Sequence, residues 1–387
     1  MNQHVQVPGP ILCVVGARPN FMKMAPLLRA LSAQQQAVPP ILVHTGQHYD
    51  VAMSDQLFAG LGMRAPDINL DVGSGTHAVQ TAEVMRRFEP VVDTTHPSCV
   101  VVVGDVNSTL ACSLVAVKKN VPVAHVEAGL RSFDRTMPEE INRLLTDQIA
   151  DLLYTTERSA ADNLRREGIP AEKIHFVGNL MIDSLTASRE HAIPPSVVLA
   201  RNGVDVSILQ EHSGFGVVTL HRPSNVDRKE DLAEALAILR EVSVQLPLIC
   251  LLHPRTRGNV ERFGLAGLLD TPRIAVLPPQ GYLETVGLMT ASTLVITDSG
   301  GMQEETTALG VPCLTMRENT ERPITVEQGT NTLVGRNGAL IRESVAAILA
   351  GGGRRGCAPE LWDGRASPRI AAHLATWLVE RAESAAR

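Results

Sequence analysis

The chain has 387 residues, enough for two domains of ordinary size. Hydrophobic residues make up 44% and charged residues 20%, which is typical of a globular protein. The net charge of -6 and the aromatic content of 3% argue against a nucleic-acid partner, because nucleic acid favours basic surfaces and stacking rings.

No apolar run approaches membrane-spanning length, and the first residues lack the basic start and long apolar region of a signal peptide. We therefore expect a cytoplasmic protein without a membrane partner. The cysteines show no C-x-x-C spacing and mostly sit in apolar runs, which favours reduced, buried thiols over disulfides or a metal site. They are Cys13, Cys99, Cys112, Cys250, Cys313 and Cys357.

Short apolar, β-branched runs alternate with longer helical patterns. The predicted strands of the first half are 11–15, 41–45, 99–104, 121–126, 152–155 and 175–177. Those of the second half are 216–220, 248–252, 274–277, 294–297 and 313–316. Continuous apolar strands separated by helices are typical of parallel sheets with helices on both faces. The sequence therefore predicts an α/β protein with two Rossmann-like, doubly wound domains and a ligand cleft between them.

The strand series breaks at 183–212, where Pro194 and Pro195 and a polar helical stretch intervene. We place the first domain at 1–183 and the second at 184–366. A closing helix is predicted near 367–383, within a final segment of 367–387, and the glycine-rich stretch before it is predicted as a loop.

The segment 294–314 is the most informative about function. A buried strand leads into Asp298-Ser299-Gly300-Gly301, and we expect a helix to open with 303–305. Two glycines at a strand-to-helix turn let a phosphate approach the backbone, and the helix dipole attracts it. Carboxylates such as Glu305 repel a bare anion but accept hydrogen bonds from a ribose. This combination indicates a nucleotide or nucleotide sugar, with an ordinary tight turn as the alternative.

Polar residues also follow the first two strands. Arg18 and Lys23 can neutralise a diphosphate, or can be solvated charges at a helix start. No G-x-G-x-x-G fingerprint is present, which gives no support to a nicotinamide or flavin cofactor. The loop 44–50, with two histidines, could bind sugar hydroxyls or lie on the surface.

Carboxylates cluster after the next strands. Asp105 follows four valines, where partial shielding from water suits proton transfer, although it could instead cap a helix beginning near Ser108. Glu127 ends a strand, and Glu139 follows Pro138, which is well placed to open a helix. The stretch 125–143 therefore indicates a partly buried polar network with carboxylates for acid–base work.

Strand ends of the second half carry further candidates. His221 could donate a proton to a leaving diphosphate or stabilise its charge, with a structural histidine as the alternative. His253 repeats the theme, Gln280 could recognise a base edge, and Arg322 is a phosphate candidate. No metal-ligand spacing, G-x-S-x-G elbow or Walker loop is present, so we expect neither a metal nor a cofactor.

The motifs, taken in order over roughly residues 11–341, resemble the non-hydrolysing UDP-N-acetylglucosamine 2-epimerases. The matching segments are GARPNFMKMAPL, GQHYD, VVGDVNSTLA, HVEAGLRSFDRTMPEEINR, VTLHRPSNVD, HPRTR, TDSGGMQEE and RENTERP. The resemblance implies the two-domain GT-B fold, with the last helix packing back on the first domain, and a homodimer. It implies interconversion of UDP-GlcNAc and UDP-ManNAc without nicotinamide or metal. In this family UDP is eliminated across the C1–C2 bond to give 2-acetamidoglucal. UDP then adds back after C2 is reprotonated on the opposite face.

The same resemblance implies roles for individual residues. The matches to the family's catalytic groups are Asp105, Glu127, Glu139 and His221. The matches to its nucleotide or diphosphate contacts are Arg18, Lys23, His253, Ser299, Gly300, Glu305 and Arg322. Gly301 and Gln280 join this UDP-binding set from the pattern of the chain itself.

Two segments depart from the family pattern. Gln47-His48-Tyr49-Asp50 stands where many bacterial members carry Q-H-R-E, which puts an activating UDP-GlcNAc site in doubt. HRPSNVD differs from H-R-R-E-S in the same members, so another UDP-sugar is an alternative substrate. A hydrolysing epimerase, a GT-B glycosyltransferase and a non-catalytic nucleotide-sugar binding protein are further alternatives. An epimerase of this kind would serve polysaccharide biosynthesis.

Overall fold

The computed structural model describes residues 9–34, 39–46, 62–210, 214–354 and 356–385. The Gln47-His48-Tyr49-Asp50 motif lies outside the described residues. Contacts divide the chain into two compact units, one of Met1–Ser184 with Glu360–Arg387 and one of Leu185–Pro359. Among the described helices, none has both the length and the apolar character that a bilayer-spanning segment requires.

The first unit is built on one parallel sheet. Its strands are β1 (Ile11–Val15), β2 (Ile41–His44), β3 (Ile68–Asn69), β4 (Cys99–Val103), β5 (Val123–Ala128), β6 (Leu152–Thr155) and β7 (Ile174–Phe176). They lie in the order β3-β2-β1-β4-β5-β6-β7. The described helices between them are α1 (Arg18–Ala33), α2 (His77–Thr95), α3 (Asn107–Lys118), α4 (Pro138–Ile149) and α5 (Arg158–Arg166). Helix α6 (Leu180–Arg189) follows β7 and continues from the first unit into the second.

Burial explains why the apolar runs form the inner strands of this sheet. Every residue of β4, CVVVV, is buried, because helices cover both faces of a parallel sheet. Helix α2 contributes Val84, Phe88 and Val92, which are spaced four residues apart and form one apolar stripe. Its first turn is capped by the Thr76 side chain, which accepts the backbone N–H of Val79.

The second unit repeats the plan with six strands. They are β8 (Gly216–Thr219), β9 (Leu248–Leu251), β10 (Ile274–Leu277), β11 (Leu294–Thr297), β12 (Cys313–Thr315) and β13 (Asn331–Leu333), in the parallel order β10-β9-β8-β11-β12-β13. Its helices are α7 (Pro195–Arg201), α8 (Pro223–Val226), α9 (Lys229–Ser243), α10 (Pro254–Phe263), α11 (Tyr282–Ala291), α12 (Gly300–Leu309), α13 (Pro323–Glu327) and α14 (Gly338–Ala347).

The last helix, α15 (Ala366–Ala385), belongs to the first unit and packs against α1. Buried Asp183 of α6 fixes its start by accepting the backbone N–H groups of Ala366 and Ser367, at 3.0 and 2.7 Å. Trp362, just before the helix, donates its indole N–H to the carbonyl of Thr156 at 3.0 Å. The return of the chain to the first unit is therefore held by specific buried hydrogen bonds.

The two parallel, doubly wound sheets confirm the predicted fold class. All eleven predicted strands are present, with ends that differ by up to two residues. The sequence analysis missed β3 and β13, which are edge strands of two and three residues containing polar side chains. Five cysteines are buried as expected and Cys357 is exposed. Burial raises the pKa of the Cys250 thiol to about 12.

Candidate active site

Each sheet has one point where neighbouring strands lead the chain in opposite directions. In the first unit this point lies between β1 and β4, and in the second between β8 and β11. Ligands of open parallel sheets bind beyond the carboxyl ends of the strands at such a point. Lys23 and Asp105 follow β1 and β4, and His221 and Ser299 follow β8 and β11. The structure therefore places predicted site residues at the switch point of each unit.

Glu127 is held in an unusual backbone conformation at the end of β5. Its φ is 71°, in the left-handed region, and the pairing of β5 with β6 shifts register between Val126 and Ala128. A non-glycine residue there is strained by about 1–2 kcal/mol, and bulges of this kind re-aim side chains near active sites. The 5% exposed carboxylate forms an ion pair with Lys23, itself 6% exposed. Lys23, predicted as a diphosphate contact, thus lies against a predicted catalytic carboxylate.

Asp105 is ion-paired with Arg143, whose side chain is buried. Its backbone carbonyl accepts the Asn142 amide at 2.9 Å, so two consecutive residues of α4 fix its position. The alternative that Asp105 caps the next helix is wrong. The N-cap position of α3 is Val106, which makes no side-chain cap hydrogen bond, and the helix begins at Asn107. The Asp105 side chain remains 27% exposed, which leaves a carboxylate oriented by its partner yet open to solvent.

Glu139 and Glu140 occupy the first turn of α4 but have different surroundings. Glu140 is 2% exposed and accepts the backbone N–H groups of Ser132 and Phe133 at 3.0 and 2.9 Å. It also accepts the Arg143 guanidinium at 2.7 Å. Burial raises the pKa of Glu140, but these hydrogen bonds and the Arg143 charge outweigh it, so its net pKa is lowered. Glu140 therefore braces the loop before α4, while half-buried Glu139 faces another side of the helix.

Four charged side chains form a connected quartet, His125, Asp147, Arg131 and Glu167, of which the first three are buried and Glu167 is 25% exposed. Asp147 accepts from His125 Nδ1 at 2.7 Å and from Arg131 at 2.7 Å. Arg131 also forms a two-point ion pair with Glu167, at 2.8 and 2.6 Å. His125, with no exposed surface, faces the Gly104 carbonyl with its other ring nitrogen at 2.8 Å. The network joins the ends of β4 and β5.

In the second unit, His221 is anchored by the fully buried Asp298. The Asp298 carboxylate accepts the backbone N–H groups of His221 and Arg222 at 3.0 and 2.9 Å, and the Asn225 amide at 3.0 Å. The His221 ring faces the same carboxylate through Nδ1 at 3.0 Å. Burial raises the pKa of Asp298, but the His221 hydrogen bond and charge and the other donors outweigh it, so the net pKa is lowered. An ionised Asp298 thus orients His221 through Nδ1 and leaves Nε2 for a ligand.

The glycine turn after β11 starts a helix one turn earlier than predicted. Helix α12 begins at Gly300 rather than at Gln303, so Glu304 and Glu305 stand in its second turn. The predicted start was wrong because glycine is a poor helix former in general. Glycine is nevertheless acceptable in the first turn of a helix. The N-cap residue Ser299 makes no side-chain cap hydrogen bond, so the first backbone N–H groups of α12 remain for an anion.

Glu304 and Glu305 are both buried, and each carboxylate contacts a different partner. Glu304 pairs with Arg322 at 2.9 Å, and Glu305 accepts the Tyr282 hydroxyl at 2.9 Å. Arg322 also pairs with Glu321 at 3.2 Å, close to Gly300, where an added Cβ would lie 2.8 Å from a Glu321 oxygen. Burial raises the pKa of Glu321, but the charges of Arg322 and neighbouring arginines outweigh it and lower the pKa to about 2. Arg322 is thus fixed beside the glycine turn by the carboxylates of Glu304 and Glu321.

The remaining predicted residues lie at the edges of these two groups. His253 caps α10 by accepting the backbone N–H of Arg255 at 3.2 Å, and its ring centroid is 5.8 Å from that of His221. Gln280, between β10 and α11, donates to the Pro278 carbonyl at 2.9 Å. Arg18 is the first residue of α1. In the second unit the structure therefore brings His221 and His253 together, and Gly300 and Arg322.

The polar network predicted for 125–143 includes Arg131, Glu140 and Arg143, but no role was predicted for Asp298 or Asp147. Asp298 directly follows a buried strand, and that position was the available signal for it. In α4, Glu140, Arg143 and Asp147 are spaced three and four residues apart and share one helix face, whereas Glu139 lies off it. That spacing could have identified the buried face of α4. Nothing in the local sequence pairs His125 with Asp147, which are 22 residues apart.

Fold and site together define a doubly wound α/β protein with polar groups at the strand-order switch point of each unit. The chain belongs to the UDP-N-acetylglucosamine 2-epimerase family, whose profile matches residues 29–375. A Pseudomonas aeruginosa protein named UDP-2,3-diacetamido-2,3-dideoxy-D-glucuronate 2-epimerase is 42% identical over 94% of this chain and 99% of its own length. A Methanocaldococcus jannaschii UDP-N-acetylglucosamine 2-epimerase is 42% identical over 87% of this chain and 91% of its own.

Solved structures of the family agree with this fold. The M. jannaschii UDP-GlcNAc 2-epimerase in complex with UDP-GlcNAc and UDP has a TM-score of 0.85 at 39% identity, covering 95% of this chain and 99% of that one. The Neisseria meningitidis UDP-GlcNAc 2-epimerase bound to UDP-GlcNAc has a TM-score of 0.81 at 28% identity, covering 95% of this chain and 100% of that one. The GT-B-like fold implied by the sequence motifs is thus confirmed.

Proposed function

We propose that this chain is a non-hydrolysing UDP-N-acetylglucosamine 2-epimerase that interconverts UDP-GlcNAc and UDP-ManNAc. The observation that carries the proposal is the placement of two carboxylates, Asp105 and Glu127, at the ends of adjacent strands, each paired with a cation. Inverting C2 requires a base that removes its proton on one face and an acid that returns a proton on the other. A nucleotide-sugar binding protein or a transferase has no need for such a pair.

The proposed reaction begins with loss of the C2 proton to an enzyme carboxylate. The C1–O bond breaks, its electron pair leaves with UDP, and a C1–C2 double bond forms to give 2-acetamidoglucal. A second group protonates C2 from the opposite face while the UDP oxygen re-forms the bond to C1. Asp105, Glu127 and Glu139 are the proposed acid–base residues, since they lie at β4, at β5 and at the start of the helix that follows β5.

The second unit supplies the proposed diphosphate site. The uncapped start of α12 at Ser299, Gly300 and Gly301 presents backbone N–H groups to an anion. His221, oriented by Asp298, offers Nε2 to the leaving diphosphate, where charge develops as C1–O breaks. The remaining proposed contacts to UDP are Arg18, Lys23, His253, Gln280, Glu305 and Arg322.

A second candidate substrate is UDP-2,3-diacetamido-2,3-dideoxy-D-glucuronate. The P. aeruginosa relative named for that substrate is matched over 99% of its length, and this chain carries HRPSNVD at the His221 loop. Both UDP-sugars carry an acetamido group at C2, so the same proton transfer serves either. They differ at C3 and C6, and these positions would decide the preference.

Proton NMR in D2O with each UDP-sugar tests the proposal. The expected result is formation of the C2 epimer, with deuterium at C2 of both epimers and no free sugar. Release of UDP together with the free N-acetyl sugar would instead establish a hydrolysing enzyme. If exchange occurs only with the diacetamido uronate, the second candidate replaces the first. If neither sugar exchanges its C2 proton, the proposed function is wrong.

Three further properties belong to this proposal: a homodimeric state, a cytoplasmic location and a role in polysaccharide biosynthesis. The homodimer and the biosynthetic role rest on the family resemblance, and the location rests on the free, mostly buried cysteines. Light scattering of the purified chain would test the dimer, and fractionation of the source cells would test the location. Loss of UDP-ManNAc-derived glycan on deletion of the gene would test the biosynthetic role.

A further inference from the structure

The buried His125 is a doubly protonated imidazolium, as its hydrogen-bond partners require. A carbonyl oxygen only accepts, so the nitrogen 2.8 Å from the Gly104 carbonyl must carry a proton. Asp147 also receives the Gly129 backbone N–H at 3.1 Å and the Arg131 guanidinium at 2.7 Å. A carboxylate surrounded by donors is ionised and only accepts. The other ring nitrogen, 2.7 Å from Asp147, therefore also carries a proton.

Charge balance within the quartet leads to the same protonation state. Two carboxylates, Asp147 and Glu167, both form direct ion pairs with Arg131, and His125 is the other neighbour of Asp147 that can carry a positive charge. A neutral His125 would leave one negative charge uncompensated where His125 and Asp147 have no exposed surface. Burying an uncompensated charge is strongly unfavourable.

The imidazolium and its carboxylate hold the two turns that carry the proposed acid–base groups. His125 donates to the carbonyl of Gly104, which has a φ of 70° and directly precedes Asp105. Asp147 accepts the N–H of Gly129, which lies two residues after Glu127. The quartet thus fixes the backbone beside Asp105 and near Glu127, although it is not itself part of the candidate site.

We propose that His125 and Asp147 are positioning residues for C2 epimerisation: a buried, hydrogen-bonded pair that sets the orientation of Asp105 relative to Glu127. This inference rests on the proposed function for its kinetic consequences, but the protonation state of His125 does not depend on it. A displacement of a catalytic group by about 1 Å can lower a rate about 100-fold, so the anchoring pair has a measurable effect.

The first test measures the protonation of His125 in the full chain without ligand. Nitrogen-15 NMR of the histidine rings would be recorded from about pH 6 to pH 9, well above the ordinary histidine pKa of about 6.5. The spectrum of His125→Gln identifies the His125 signals by their absence. We expect a proton on each ring nitrogen, on Nδ1 facing Asp147 and on Nε2 facing the Gly104 carbonyl. A single neutral tautomer above pH 7 would overturn the inference.

The second test removes the charge of Asp147 with little change in shape. Asp147→Asn should lower kcat for epimerisation about 100-fold and leave KM within about threefold, because substrate contacts are untouched. Without the carboxylate, His125 can lose its second proton. The remaining activity should therefore fall with rising pH in a way that the activity of the unaltered enzyme does not.

Asp183→Asn is the matched control. Asp183 is also a buried carboxylate of the first unit that accepts backbone N–H groups, but it serves the start of α15. It should keep the original kcat and pH profile even if the protein loses stability. Equal kinetic losses in both variants would reduce the role of Asp147 to folding and overturn the proposal, as would an unchanged kcat in Asp147→Asn.

A milder variant covers the case in which Asp147→Asn does not fold. Glu167→Gln weakens the quartet from its outer end, where the side chain is 25% exposed, and should lower kcat several-fold in the same pH-dependent manner. Unchanged kinetics in Glu167→Gln, with a neutral His125 by NMR, would sink the inference. If the unaltered chain exchanges the C2 proton of neither UDP-sugar, the proposed function fails while the NMR result still decides the state of His125.

Discussion

Acidification should destabilise the first unit through a pair of closely packed histidines. His175 of β7 and His373 of α15 have ring centroids 3.9 Å apart, and His373 Nδ1 lies 3.0 Å from the Tyr154 hydroxyl. Burial, and then the neighbouring His373, lower the pKa of His175 from 6.5 to about 4. Burial also lowers the pKa of His373.

The sign and size of the effect follow from linkage. Above pH 6.5 His175 is neutral in both the folded and unfolded states and contributes no pH dependence. As the pH falls below 6.5 the unfolded state takes up a proton that the folded state refuses, so the free energy of unfolding decreases until about pH 4. At about 1.36 kcal/mol per pH unit the loss reaches about 3 kcal/mol, an upper limit for a half-buried ring that water partly screens.

Urea unfolding followed by tryptophan fluorescence would measure this loss. The chain has two tryptophans, Trp362 and Trp377, and both belong to the first unit, so the signal reports the unit that contains the histidine pair. His175→Phe is the matched control, because it keeps a ring against Tyr154 and His373 but cannot titrate. The variant should lose less stability than the unaltered chain between pH 7 and pH 4. Parallel curves of unfolding free energy against pH would refute the reasoning.

Three further predictions concern the candidate site. Asp298→Asn should lower kcat at least 10-fold and the free energy of unfolding by about 1–3 kcal/mol, since His221 loses its ionised acceptor; steady-state kinetics and thermal melts would measure both. Glu127→Gly should abolish C2 exchange. Its free energy of unfolding in urea should nevertheless exceed that of Glu127→Ala by about 1 kcal/mol, because only glycine accepts a φ of 71° without strain. Gly300→Ala should weaken UDP binding about 10-fold by calorimetry, because the new Cβ approaches Glu321 beside the helix start.

Each of these predictions has a result that contradicts it. Normal turnover in Asp298→Asn would show that His221 is not oriented by that carboxylate during the reaction. Equal unfolding midpoints for the two Glu127 variants would mean that the left-handed backbone is not strained. Unchanged UDP affinity in Gly300→Ala would remove the glycine turn from the proposed diphosphate site. Gly267→Ala in the same unit is the control, because its added Cβ meets nothing within 4 Å.

The inner strands and the placement of polar groups at their ends could be predicted because both are local properties of the sequence. A buried parallel strand is a short apolar run, and the residue after it reaches the ligand edge whatever its partner is. Edge strands such as β3 and β13 carry no such signal, since they are short and only partly buried.

The charge partners within each site could not be predicted in the same way. Asp105 meets Arg143 across 38 residues, and His221 meets Asp298 across 77. Such pairs form when strands and helices pack, so they depend on the tertiary fold rather than on spacing in the chain. The left-handed φ of Glu127 could not be predicted either, because this conformation usually occurs at glycine and a glutamate in the sequence does not indicate it.

The first unit is made from two separate stretches of the chain, and this has a consequence for its synthesis on the ribosome. Its sheet and helices α1 to α5 are translated before the second unit, but α15, which packs against α1, is translated only after residue 359. The contiguous second unit can therefore complete its core first, while α1 waits with one face uncovered. A nascent chain stalled near residue 359 should expose that face to chaperones, and a separately supplied 360–387 peptide should cover it.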